Sequence, residues 1–232
     1  MIKKIKETIR MIMVDVDGTL LDNYHNMSEA NQKTLSGLSE QKIYLVMNTG
    51  ALPKDGYNIL TNTSIGIDNY TKWFIGLNGI VIYNFLTNDS YFQINTQNKT
   101  KIKEVFEKLN FKNYEIINLQ NRSFLHFIVH NFETWYKLVF EIYLSLEKNN
   151  NKILGLESCL LLINHFDQVS LAKKNIIYFG DNLNDLLVFS DPEVYCIAMK
   201  NAIDEVKTLA NDSTTDNYQG ISDYLEKLKS AD

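Results

Sequence analysis

Two short apolar runs, distant in the chain, both end in acids: Met11-Ile-Met-Val-Asp15-Val-Asp17-Gly18-Thr19 and Ile176-Ile-Tyr-Phe-Gly180-Asp181-Asn182-Leu-Asn184-Asp185. Continuous apolar runs of this length, stopped by Gly and polar residues, read as strands buried on both faces. Parallel strands of one sheet bring their carboxyl ends to the same edge, where ligand sites of open α/β folds form. Asp15, Asp17, Asp181 and Asp185 can therefore converge. A cluster of hard oxygen ligands suits Mg²⁺ and, through it, a phosphate.

The rest of the chain supports a parallel α/β sheet, because strand and helix signals alternate. A strand over 11–16 leads to a helix near Ser28–Leu38 with Ser28 as N-cap, then to a strand over 43–48. Pro53 and Gly56 break up a short helical segment, and short strands are expected near 65–67 and 73–76. From about Ile80 the pattern changes. Tyr91 to Asn95 reads as a strand, Asn98 to Leu109 as an amphipathic helix, Asn113 to Asn118 and Ser123 to His130 as alternating strands, and Glu133 to Glu147 as a helix. This α+β unit is expected to be an inserted domain.

The residues at the strand ends suit phosphoryl transfer. A carboxylate that attacks phosphorus forms an acyl phosphate and divides one hard hydrolysis into two easier displacements. A second carboxylate two residues on can protonate the leaving oxygen and later deprotonate water. Gly18 permits a sharp turn after the strand, and Thr19 adds a hydroxyl. A metal would neutralise charge that otherwise repels an anionic nucleophile.

The pair Asp15-Val-Asp17-Gly-Thr and Gly180-Asp181-x-x-Asn184-Asp185 resembles the haloacid dehalogenase superfamily, specifically its Cof-type branch of sugar-phosphate phosphatases. Three further stretches extend the resemblance nearly end to end: Lys42 to Gly50, Phe74-Ile-Gly-Leu-Asn78-Gly79 with the strand after it, and Ile197 to Lys207 followed by Asp216-Asn217-Tyr-Gln-Gly220. It implies a Rossmann-like core over 1–82 and 156–232, with a shortened cap over 83–155. It further implies Asp15 as nucleophile and Asp17 as acid and base. Thr49, Gly50 and Asn184 would hold phosphate, and Asp15, Asp17, Asp181 and Asp185 would hold Mg²⁺.

Two positions depart from that pattern. Ala51 stands where the branch commonly has Arg. The family also supplies a lysine at the start of the helix before the Gly-Asp strand, and a gapless count back from Gly180 reaches Ser158. The substitute candidate is Lys152, in the expected linker from the cap, whereas Lys173 and Lys174 read as helix caps at the wrong end of their strand. Loss of such a group would cost about 10²–10³ in rate, implying a slow enzyme. A second parse, with 153–164 as two cap strands, lacks the crossover helix that a parallel pair needs.

Composition narrows the class. A chain of 232 residues that is 45% hydrophobic can bury a sizeable core. Its net charge of −5 argues against a nucleic-acid surface. No stretch reaches the roughly 18 apolar residues of a membrane span, and the basic start does not read as a signal peptide. Cys159 and Cys196 read as buried thiols, consistent with cytoplasm. His126 and His130 share a zinc-like spacing but lie in a strand pattern and lack a partnering Glu, which disfavours a metal role; a cap contact to substrate fits somewhat better than a metal. Trp135, Tyr136, Phe140 and Tyr143 fall at core-like helical spacing.

Three functions fit in descending order. The first is a Mg²⁺-dependent phosphatase of small phosphorylated metabolites. The second is a weakened relative with a binding or regulatory role. The third, a receiver-type phosphoacceptor, leaves the cap unexplained.

Overall fold

A computed structural model describes residues 8–145 and 151–230. The end of the expected helix over 133–147 and the first seven residues lie outside them. In chain order the main elements are β1 (Met11–Val14), α1 (Glu29–Ser36), β2 (Tyr44–Asn48), α2 (Pro53–Thr61), β3 (Trp73–Gly76), β4 (Val81–Asn84) and β5 (Asp89–Ile94). Next come α3 (Thr96–Lys108), β6 (Tyr114–Leu119), β7 (Arg122–Ile128), α4 (Phe132–Ser145) and α5 (Lys152–Phe166). The chain closes with β8 (Ile176–Gly180), α6 (Leu186–Phe189), β9 (Tyr195–Ala198), α7 (Asp204–Leu209), β10 (Asp212–Ser213) and α8 (Gly220–Ser230).

The strands form one sheet in the order β10-β9-β8-β1-β2-β3-β4-β5-β7-β6. From β10 to β3 the pairs are parallel, with β8 and β2 flanking β1 in register, Val14 opposite Phe179 and Met47. From β3 to β6 the pairs are antiparallel. The expected α/β class is thus met, and β1 and β8 end side by side. No strand forms at 65–67, a stretch of bends between α2 and β3.

Side chains of β1, β2 and β8 alternate between two apolar layers, as the period of a strand requires. Met11 and Met13 pack with α5, through Leu156, Cys159 and Ile163; Ile12 and Val14 pack with α1, α2 and α8, through Leu35, Leu60 and Ile221. A third cluster joins Phe92, Leu125 and Phe127 to α3 and α4. Strands β4 to β7, where the insert is expected, therefore widen the sheet laterally. The bounds expected for the insert, 83 and 155, fall inside β4 and α5.

Helix α4 corrects one expectation. Trp135, Leu138, Val139 and Ile142 are buried, but Tyr136, Phe140 and Tyr143 are exposed. The sheet and α3 cover one side of this helix, so the aromatics on its outer side stay in solvent. Lys173 and Lys174 also differ: they lie in a 3₁₀ turn before β8, where Lys173 pairs with Asp191 at 2.7 Å and with Glu157 at 2.5 Å.

His126 holds the insert together. Its Nε2 lies 2.7 Å from Asp89 Oδ1, its Nδ1 lies 2.9 Å from Glu115 Oε1, and its ring stacks on Tyr91. Burial opposes the imidazolium, but the hydrogen bonds it donates to Asp89 and Glu115 outweigh it and raise the His126 pKa. Burial likewise opposes the Asp89 carboxylate, and hydrogen bonds from His126 and Thr87 outweigh it and lower that pKa. The His126 contribution is complete below the ordinary histidine value and is lost as pH rises through the raised one; the Asp89 contribution is lost only as pH falls through its lowered value. Thermal melts between about pH 6 and 9 are expected to show wild-type stability falling more steeply than that of His126→Gln. Parallel curves would refute this assignment.

Candidate active site

The site begins where β1 stops. After Val14 the chain turns tightly, with the Val16 carbonyl accepting from the amides of Leu20 at 3.0 Å and Leu21 at 2.9 Å. Gly18 has φ +78°, and a Cβ there would lie 2.5 Å from Asp181 Oδ2. The turn thus needs glycine twice, for its left-handed backbone and for its approach to the neighbouring strand. The outcome is that Asp15 is buried and Asp17 exposed, with His25 Nδ1 at 3.6 Å from its Oδ1.

Across the edge, β8 delivers the other acids. Asp181 is buried, accepting from Thr19 Oγ1 at 3.2 Å and from Asn201 Nδ2 at 3.1 Å. Asp185 is fully buried, and its Oδ2 accepts from the amides of Asp181 at 3.0 Å and Asn182 at 3.2 Å. Asp15, Asp181 and Asp185 each offer a carboxylate oxygen within 4.8 Å of the others. Asp17, grouped with them on sequence, keeps its side chain 65% exposed.

Lys152 completes the cluster. Its ammonium is fully buried, 2.6 Å from Asp15 Oδ1 and 2.7 Å from Asp185 Oδ1, which also accepts from Tyr178 OH at 2.6 Å. This corrects the alignment that put the position at Ser158. Ser158 lies more than a turn further along α5 and donates to Gln93 Oε1 at 2.6 Å while accepting from Arg122 at 3.1 Å. The helix starts early because Asn151 caps it, its Oδ1 accepting from the Leu154 amide at 3.1 Å. Asn48 at the end of β2 then ties Lys152 down, its Nδ2 donating to the Lys152 carbonyl at 3.1 Å.

A close backbone contact sets the aim of that ammonium. Gly79, at φ +93°, lies against the first turn of α5, so a Cβ on it would sit 2.1 Å from the Asn151 carbonyl oxygen. A Cβ on Gly155 would in turn sit 2.5 Å from Gly79 Cα. Two facing glycines let the helix start reach the sheet edge.

Thr49 is buried at the end of β2, with its Oγ1 accepting from the Ala51 amide at 3.1 Å, and Gly50 is exposed beside it. Asn184 is exposed, and its Nδ2 donates to Asn78 Oδ1 at 3.3 Å. Sequence reasoning missed Tyr178 and Asn48; the signal available was a polar group inside an otherwise apolar strand. His126 lies in β7 and His130 two residues past its end, and neither belongs to this cluster.

Burial raises the Asp15 carboxyl to about 7, with the Lys152 ammonium opposing and Asp185 adding to the rise. Burial, and then the charge of Asp185, also raise Asp181. Crowded acids with one ammonium among them are short of positive charge, and their hard oxygens fit a divalent cation. Both Asp185 oxygens are already engaged by Lys152, Tyr178 and two amides. Asp15 and Asp181 are accordingly the carboxylates best placed to hold the ion directly.

A family model of haloacid dehalogenase-like hydrolases matches residues 12–154 and 131–225. The chain belongs to the haloacid dehalogenase-like hydrolases, and with that family it is a phosphatase. It is 22% identical, over 91% of its length and 92% of the relative's, to the 5-amino-6-(5-phospho-D-ribitylamino)uracil phosphatase YcsE of Bacillus subtilis (strain 168). Among solved structures it is similar to a haloacid dehalogenase-like hydrolase from Bacteroides thetaiotaomicron, with TM-score 0.59 and 18% identity over 95% of this chain and 99% of that one. A HAD/COF-like hydrolase from Plasmodium vivax aligns with TM-score 0.57 and 15% identity over 99% of both chains. Among the described residues, no helix is long and apolar enough to cross a membrane.

Proposed function

We propose that the chain is a Mg²⁺-dependent phosphatase of small phosphorylated metabolites that works through an aspartyl-phosphate on Asp15. The observation that carries this reading is the buried Lys152 ammonium between Asp15 and Asp185, with Asp181 beside them at one sheet edge. Asp15 attacks phosphorus with a carboxylate oxygen, forming the acyl phosphate as the ester oxygen leaves. Asp17, exposed at the rim beside His25, gives that oxygen its proton and then takes one from the water that cleaves the intermediate. Thr49 and Gly50 orient the phosphoryl group, with Asn184 at the opposite rim.

Lys152 offsets the charge of the nucleophile and of the phosphoryl oxygens in a dry setting where one ammonium counts for much. Tyr178 and the amides of Asp181 and Asn182 fix Asp185, which positions Lys152. Asp15, Asp181 and the backbone carbonyl of Asp17 would hold Mg²⁺, which when bound neutralises phosphoryl charge. The reading of a weakened binding protein rests on Ser158, Ala51 and the shortened cap, and the Lys152 ammonium beside Asp15 favours the phosphatase reading over it.

Sugar phosphates are the expected substrate group, and the relative named above is a phosphatase of a phosphoribityl compound. Hydrolysis of a panel of sugar phosphates and para-nitrophenyl phosphate, with Mg²⁺ and with excess chelator, tests the reading. Turnover is expected to require the metal. Equal rates in chelator, or none on any ester with metal, would overturn it.

A further inference from the structure

A cavity of about 280 Å³, near the lower end of the size of small-molecule sites, lies between the first turns of α2 and the start of α4. None of Asp15, Asp17, Thr49, Lys152 or Asp181 lines it. Its wall is a continuous run of five rings, each beside the next. Tyr57 stands edge-on to Phe85 with ring centres 6.1 Å apart, Phe85 to Tyr83 at 5.4 Å and Tyr83 to Trp135 at 6.1 Å, while Trp135 stacks with Phe132 at 5.8 Å. Lys54, one turn before Tyr57 on α2, closes the circuit, with its ammonium 5.1 Å from the centre of the Phe132 ring.

The inner rings are fixed in place. Phe85 and Trp135 are buried, Trp135 Nε1 donates to Ser90 Oγ at 2.8 Å, and Tyr83 OH donates to Asn88 Oδ1 at 2.9 Å. Aromatic side chains have few rotatable bonds, so such a wall offers contact area at little entropic cost. The end rings, Tyr57 and Phe132, are 48% and 41% exposed, which leaves the mouth apolar and open to solvent.

The polar groups left over at this wall can all donate. Among the described residues the Lys54 ammonium has no carboxylate partner, the Tyr57 hydroxyl makes no hydrogen bond, and His130 meets only Asn88, its Nδ1 lying 3.5 Å from the amide nitrogen. With Nδ1 accepting, the proton of a neutral His130 ring sits on Nε2. No acid lines the cavity. The acids next in sequence to its lining are engaged elsewhere: Asp55 by the Leu52 amide at 3.1 Å, Asp89 by His126 at 2.7 Å and Glu133 by Lys137 at 2.9 Å. A planar ring can therefore lie against the aromatic wall while an acidic group on it meets Lys54.

We propose that this cavity is a second binding site, separate from the acidic cluster, and that it takes a small aromatic anion: a single or fused pair of planar rings bearing one acidic group. The rings of the wall hold the planar body, Lys54 holds the charge, and Tyr57 and His130 supply further hydrogen bonds. The site brings its own cation, whereas the acidic cluster repels an anion when no metal is bound, so chelation separates the two.

The test is calorimetric titration of the protein in excess chelator with indole-3-acetate, its neutral amide and cyclohexylacetate, which divide the ligand into ring and charge. Indole-3-acetate is expected to bind with a Kd of about 1 mM or tighter, and the other two roughly tenfold more weakly. Lys54 and Tyr57 are exposed on α2, so their variants should fold. Lys54→Gln should cost indole-3-acetate roughly tenfold in affinity and leave the amide within about twofold. Tyr57→Ala should weaken both indoles roughly tenfold, and Tyr57→Phe should keep most of the affinity. Indole-3-acetate and cyclohexylacetate binding within about twofold of each other, no saturable binding up to about 10 mM, or affinities unmoved in both Lys54→Gln and Tyr57→Ala would overturn the site. Turnover enters none of these measurements, so the result bears on this site and not on the phosphatase reading.

Discussion

Asn in place of Asp15 is expected to reduce metal-dependent hydrolysis of every phosphate ester to background. An amide at this position cannot form the acyl phosphate, and no other described carboxylate lies as close to Lys152 with an oxygen free to attack. Asp17→Asn should behave differently. Its side chain is at the rim, so the intermediate still forms, and the loss is largest for alkyl phosphates, whose leaving group needs a proton, and smaller for aryl phosphates. Steady-state rates on both ester types separate the roles. Wild-type turnover by Asp15→Asn would mean that the nucleophile lies elsewhere.

Methionine in place of Lys152 is expected to lower kcat by about 10²–10³, the usual cost of removing a preorganised group that stabilises developing charge. It should also cost stability, on the order of 3–5 kcal/mol, because Asp15 and Asp185 are left buried without their cation. Ser158→Lys should bring no gain, since that side chain is engaged with Gln93 and Arg122. Kinetics together with denaturant titration tests both effects. A Lys152→Met protein with unchanged kcat would remove the lysine from the mechanism.

The acids were legible because they depend on strand ends alone: two apolar runs that stop at Asp15 and Asp181 must share an edge if their strands are parallel. The lysine was harder, for two physical reasons. Gly155 disfavours helix and masks the cap at Asn151, and a gapless count cannot sense that the segment between α5 and β8 is longer than the pattern assumes. Exposure was also hidden. Tyr136 and Phe140 have the spacing of core residues, and only the lateral joining of β7 to β5 decides which side of α4 is covered.

The facing glycines have a consequence for how such a chain can change. The chain departs from the core sheet edge within β4 and returns at Asn151, and there the backbone of α5 is clamped against Gly79 before Lys152 is reached. Changes of length between those anchor points enter the chain upstream of the clamp, which fixes the start of α5 against the sheet edge. A single methyl group on Gly79 is thus expected to displace the start of α5 and with it the Lys152 ammonium.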